Sequence, residues 1–270
     1  MSESSIADRY PHVWRKRSMR ETLLGWLWTA GVAAAAAWSV SALDIEWAFF
    51  ADAHEQAIDL IERMWPPRWS YLPSVVRPLI ETIHIATLGT AIALVLALPL
   101  AFLAARNTTM NEFTWAIGRA LLVASRSVNT VIWGLVFVAI FGPGPVAGIA
   151  AVAARSVGFL AKLAAEAIEE ASRGQIEAIE STGASTGQVY LLAILPQVMP
   201  VLIGTTVYRW DINVRMATVI GLVGGGGIGF LLQDTINLGR WSQAGTAIWL
   251  IALVVCAMDA ASAALRERLL

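Results

Sequence analysis

The chain has 270 residues, 57% hydrophobic and 14% charged, with a mean hydropathy of +0.63. A soluble domain carries about a quarter charged residues, so this balance excludes an ordinary soluble enzyme and points to an integral membrane protein. The formal net charge of −1 decides little, because in such chains the placement of charge matters more than its sum.

In chain order, the first apolar run covers residues 23–43, behind the basic cluster Arg15, Lys16, Arg17 and Arg20. Val40-Ser41-Ala42 has the small residues of a signal-peptidase site, but the run exceeds a typical signal core and its tryptophans suit an interfacial anchor. A retained first transmembrane helix at 22–43 is expected, after a tail at 1–21. Residues 44–68 place Ala48, Phe49, Ile58 and several acids at helical spacing, and Trp65-Pro66-Pro67 ends the pattern. This predicts an amphipathic helix at the outer membrane face, within an extracytoplasmic segment 44–75.

Further spans are expected at 79–105, 116–141, 146–163, 196–222 and 244–265, each near the length that crosses about 30 Å of hydrocarbon. The third is interrupted by Arg126, Ser127 and Asn129 and closes at Gly142-Pro143-Gly144-Pro145. Six spans with the Arg15–Arg20 cluster inside put both termini and residues 164–188 in the cytoplasm.

Residues 164–188 form a polar island in an otherwise apolar half. Glu166, Glu169 and Glu170 prolong the fourth helix, Ser172-Arg173-Gly174 interrupts it, and 175–182 reads as a short helix. Gly183 suits the left-handed residue that ends such a helix. Ser185 with Gln188 makes a capping box for the next one, which enters the membrane at Pro196. By itself this describes either a surface loop or a docking plug.

The fifth span carries Arg209, Asp211, Asn213 and Arg215. Charge at depth is costly and marks partners or pathways. Asp211 and Arg215 stand one turn apart with the acid first, the favoured order for a pair, and read as a structural ion pair. Arg209, Arg126 and Arg155 have no partner in their own turn. Arg209 and Asn213, with Arg155, suit a path for an anion, since guanidinium matches phosphate-like oxygens, while Arg126 also suits snorkelling to an interface. Gly224, Gly226 and Gly229 satisfy G-x-G-x-x-G, but no strand precedes them. Gly224, Gly225, Gly226, Gly227 and Gly229 instead suit close packing or a flexible gate.

The island's Glu177-Ala178-Ile179, Gly183 and Ala193-Ile194-Leu195-Pro196 resemble the EAA loop of ABC-importer permeases, E-A-A-x3-G-x9-I-x-L-P. Isoleucine replaces the second alanine, and alanine fills the slot of the motif's isoleucine. The run from Tyr208 to Gly229, with Trp65-Pro66-Pro67, Phe141-Gly142-Pro143-Gly144-Pro145, Ser156-Val157-Gly158-Phe159-Leu160 and Leu195-Pro196-Gln197-Val198-Met199-Pro200, is similar to phosphonate-importer permeases. The resemblance covers most of the chain from Trp65 onward. It implies an all-α polytopic protein of about six spans with the type I ABC importer permease fold, its core at 76–270 and a cytoplasmic coupling loop at 164–195.

The resemblance also implies that Glu177, Ala178, Gly183, Leu195 and Pro196 engage a cytoplasmic ABC ATPase dimer. A second permease copy and an extracytoplasmic substrate-binding protein complete the expected assembly, in a bacterial inner membrane. The cargo it implies is a phosphonate or related phosphorus oxyanion such as phosphite, with phosphate, methionine or another small solute as alternatives. No cofactor, metal or nucleic acid is implied: Cys256 stands alone, and His12, His54 and His84 lack ligand spacing. A membrane-embedded hydrolase would need a nucleophile–base pair or metal cluster, and the sequence offers no such constellation. A non-transporting anchor subunit is the third reading.

Overall fold

The computed structural model describes residues 18–43 and 46–269, with side chains as far as residue 262. The basic residues Arg15, Lys16 and Arg17, together with Asp44 and His12, lie outside the described residues. The described chain is helical, and it divides between Asp59 and Leu60 into two compact units.

In the first unit, α1 (Met19–Ala42) starts at a capping box, where Ser18 and Glu21 satisfy each other's backbone N–H groups. None of its residues is buried, and its apolar side chains point all round, as a helix meeting lipid requires. The amphipathic helix α2 (Ala48–Met64) crosses from the first unit into the second, and the chain then breaks at Trp65-Pro66.

The second unit is built on α3 (Leu72–Ala104) and α6 (Pro145–Glu169). Ala93, Ala97, Ala101 and Ala104 make a stripe of small residues on α3, and all are buried with Ala161, Ala164 and Ala165 of α6. Lipid tails are as apolar as leucine, so helices in a membrane associate through close backbone approach rather than by escaping water. Gly89 shows how close: a Cβ there would lie 2.8 Å from Val152 Cβ.

Residues 116–141 do not make one straight span. They form α4 (Glu112–Ser127) and α5 (Thr130–Phe141), bent by 92°. Val128 adopts an extended conformation, and the Asn129 side chain accepts from the Val131 backbone N–H at 3.1 Å, starting a new helix. Among the described residues, five helices are long and apolar enough to cross a membrane, or six if this bent pair is one span.

The polar island folds as α7 (Arg173–Glu180) and α8 (Thr186–Val189), followed by a π-helical turn, Tyr190–Ile194, that runs into α9 (Leu195–Leu222). After α9 the glycine run leads into a short helix absent from the sequence expectation, α10 (Gly227–Asn237), and then α11 (Trp241–Leu269). The run thus follows a helix rather than a strand.

Candidate functional site

Three places in the second unit gather the polar residues. At the centre, α9 presents Arg209 and Asn213 one turn apart, both buried. Arg209 Nε donates to Ser156 Oγ at 3.1 Å, and its guanidinium stacks over the Phe159 ring at 4.9 Å. Asn213 Nδ2 donates to Ser156 Oγ and to Thr90 Oγ1, each at 2.9 Å. Thr90 in turn donates to the Ala86 carbonyl at 2.7 Å. The cluster ties α3, α6 and α9 together, and Asn213 is fully buried within it.

Arg155 lies half-buried beside this cluster, near enough that its charge acts on that of Arg209. Neither arginine has a carboxylate partner among the described residues. Two like charges that act on each other repel, and an anion near both relieves that repulsion. Arg126 stands apart, exposed in the last turn of α4.

Asp211 and Arg215 are 3.0 Å apart, and Arg215 Nη1 also donates to Asp259 Oδ1 of α11. The sequence pattern gave no sign of Asp259, because pairing between helices has no fixed spacing. The same applies to Ser156 and Thr90: small hydroxyl residues in apolar runs announce nothing until a neighbour reaches them.

At one end of the unit the glycine run forms a tight junction. Gly225 N–H donates to the Ile220 carbonyl at 3.0 Å, and Gly144 N–H donates to the Gly224 carbonyl at 2.9 Å, joining the run to the Gly-Pro turn. Gly226 and Gly227 have positive φ, +81° and +68°, and open α10. Two neighbours on α3 cap that helix from outside: Glu81 Oε1 accepts from Gly227 N–H at 2.9 Å, and Thr82 Oγ1 from Ile228 N–H at 2.8 Å. Gly229 lies against the backbone of α9, where any Cβ would strike the Thr218 carbonyl. A cavity of about 320 Å³ opens here, between Glu81, Pro143, Gly226 and Asp234.

At the other end, Glu169 on the last turn of α6 anchors the neighbouring loop. It accepts from Arg106 N–H at 2.9 Å and from Arg119 Nη2 at 2.7 Å, and both guanidinium groups flank the Trp115 ring. Tyr190 OH donates to the Thr108 carbonyl at 2.9 Å. These contacts fix the base on which α7 stands, with Ile176 packed inward and Glu177 and Ala178 exposed. Gly183 follows α7 with φ +78°, a conformation that side chains with a Cβ rarely adopt, and nothing lies within 4 Å of where its Cβ would be. Leu195 and Pro196 begin α9, so the chain leaves this segment directly into the central helix. Among the described residues no group of histidine, cysteine, aspartate and glutamate has the arrangement of a metal site.

Comparison with known proteins places this architecture. Residues 97–269 match the family described as binding-protein-dependent transport system inner membrane component. The chain is 41% identical over 210 residues to a putative phosphite transport system permease protein, HtxC, of Stutzerimonas stutzeri, covering 78% of this chain and 74% of the relative. It is 37% identical over 275 residues to the phosphite transport system permease protein PtxC of the same organism, covering 99% of each. Its fold is similar to a chain of the inward-facing MetNI methionine ABC transporter, with a TM-score of 0.63 at 21% identity, over 74% of this chain and 98% of that one. The all-α fold is therefore that of an ABC importer permease, and the chain is a transport component rather than an enzyme. It belongs to the family of binding-protein-dependent transport system inner membrane components.

Proposed function

We propose that this chain is the membrane subunit of an importer for a phosphorus oxyanion, phosphite or phosphonate foremost, driven by ATP hydrolysis in a separate subunit. What carries the cargo class is the pair Arg155 and Arg209, whose charges act on each other and have no carboxylate partner among the described residues. A site built to pass an anion needs unneutralised guanidinium, whose planar donors match tetrahedral oxyanions. The relatives named for phosphite transport support the same class. In this reading Arg209 and Arg155 line the path, and Asn213 positions Arg209 through the shared Ser156.

The exposed face of α7 docks into a cytoplasmic ABC ATPase dimer through Glu177 and Ala178. Gly183 acts as the hinge, and Leu195 and Pro196 transmit the motion into α9. The glycine junction, with Gly224, Gly225, Gly226, Gly227 and Gly229, gates the opposite end. There a substrate-binding protein delivers the cargo, and a second copy of this chain completes the pathway. The corresponding division is a cytoplasmic tail at 1–21, a membrane helix at 22–43, an outer segment at 44–75 and a transport core at 76–270, with both termini cytoplasmic.

The test is uptake of labelled phosphite by intact cells that lack other phosphorus importers. Arg209→Ala should lower uptake at least about tenfold, the cost of one charge-assisted contact, while the assembled complex still hydrolyses ATP. Arg209→Lys should not restore it. Uptake at the wild-type rate in Arg209→Ala removes the arginine from the path. Titration of the partner binding protein with phosphonate, phosphite, phosphate and sulfate then fixes the cargo.

A further inference from the structure

Away from the path, the end of the unit opposite α7 carries a basic pocket that none of the roles above uses. Arg63, Arg68 and Arg240 line a cavity of about 330 Å³ together with Trp241, Ser242 and Gln243. Its two walls are held together by Arg68 N–H, which donates to the Ser242 carbonyl at 3.2 Å. Arg68 and Arg240 are exposed, and neither has a carboxylate partner among the described residues. Gln243 Oε1 is buried and has no hydrogen-bond partner there. The pocket sits at the first turn of α11, whose N-terminal backbone adds partial positive charge.

A second cavity, of about 370 Å³, lies further along α11. Trp69, the neighbour of Arg68, closes one side, and Trp249, Ala252, Leu253 and Cys256 form a single stripe on the other. The helical rise places Trp249 about 10 Å beyond Ser242. Trp69, Trp249 and Leu253 are 63%, 56% and 64% exposed, so the groove is apolar and open to the bilayer. Tryptophan at this level marks the headgroup boundary.

We propose that these two cavities form one site for an anionic phospholipid. The phosphodiester sits among the arginines, and an acyl chain lies in the groove between Trp69 and α11. Charge complementarity selects the anionic headgroup, and the apolar groove beyond the arginines selects a lipid over a free oxyanion. The bound lipid would brace the link between α2 and α3 against α11.

The assembled transporter, purified in detergent, tests this by native mass spectrometry with phosphatidylglycerol and phosphatidylcholine as probes. Phosphatidylglycerol should bind more tightly, and Arg68→Gln/Arg240→Gln should weaken it about tenfold or more while leaving phosphatidylcholine unchanged. Leu253→Trp, which fills the groove without touching charge, should weaken both lipids and spare a glycerophosphoglycerol headgroup that has no acyl chains. Equal binding of the two lipids, or no effect of the double substitution, overturns the proposal. So does arginine-dependent binding of inorganic phosphate or phosphite that displaces the lipid, which would make the pocket a free-anion site. Efficient cross-linking of Cys256 between two copies by a short bis-maleimide would overturn it as well, by showing that protein, not lipid, covers the groove.

Discussion

Arg215 and Asp259 join α9 to α11 through a hydrogen bond of 2.5 Å between Nη1 and Oδ1, while the other arm of the same guanidinium holds Asp211 at 3.0 Å. One cation thus serves two carboxylates, and either carboxylate alone can keep it paired.

That sharing predicts non-additive losses. Asp211→Asn and Asp259→Asn should each cost about 1 kcal/mol or less, because the partner that remains still pairs with Arg215. The double substitution leaves Arg215 with no carboxylate partner and should cost more than the sum of the single losses. Thermal unfolding of the purified protein in detergent measures all three, and strictly additive losses would remove the sharing argument.

A second prediction concerns the junction of α9 and α10. Gly229→Ala sets a methyl group against the Thr218 carbonyl, which belongs to the helix backbone and cannot swing away. The loss should be about 1–3 kcal/mol, as for other overpacked sites. Gly31→Ala is the matched control, since a Cβ there meets nothing within 4 Å. It should leave stability unchanged or raise it by up to about 1 kcal/mol through helix propensity. Equal effects at the two positions would refute the close-approach reading.

The capping of α10 by α3 is tested by exchange rather than by melting. Glu81→Ala and Thr82→Val each free one backbone N–H at the start of α10. A lost cap costs about 1 kcal/mol, so amide exchange at Gly227 and Ile228 should speed up about fivefold, with α3 unchanged. No change in exchange at those two amides would mean the caps contribute nothing.

Coupling is open to test at two points. Gly183→Val places a branched side chain at φ +78°, costing about 1–2 kcal/mol of backbone strain. Glu169→Ala releases both Arg106 and Arg119. Each should lower the ratio of solute taken up to ATP hydrolysed in proteoliposomes, leaving basal hydrolysis near wild type. An unchanged ratio in both variants would detach this segment from the drive.

Much of this architecture is legible in the residues. Apolar length gives the membrane helices, and Ser185 with Gln188 gives the start of α8, because capping and span length depend on neighbours in sequence. The short helix expected at 175–182 occupies Arg173–Glu180, displaced by a fraction of a turn at each end. The bend at Asn129 is not legible, because Arg126, Ser127 and Asn129 read as polar interruptions of one span, whereas Asn129 starts a new helix. The helix α10 is hidden because five glycines in six residues read as flexible backbone, while its caps come from Glu81 and Thr82 on another helix. Ser156, Thr90, Glu81 and Asp259 are invisible for a common reason. Each acts on a helix distant in sequence, and no local pattern encodes that.

The wide turn at Tyr190–Ile194 has a consequence for how motion reaches α9. An α-helical and a π-helical turn differ by one residue, so passing from one to the other rotates everything on one side by about 100°. Intermediate angles would leave backbone donors without acceptors. The phase between the α7–α8 segment and the central helix is therefore set by the one extra residue of this turn, about 100° from where an unbroken α-helix would put it.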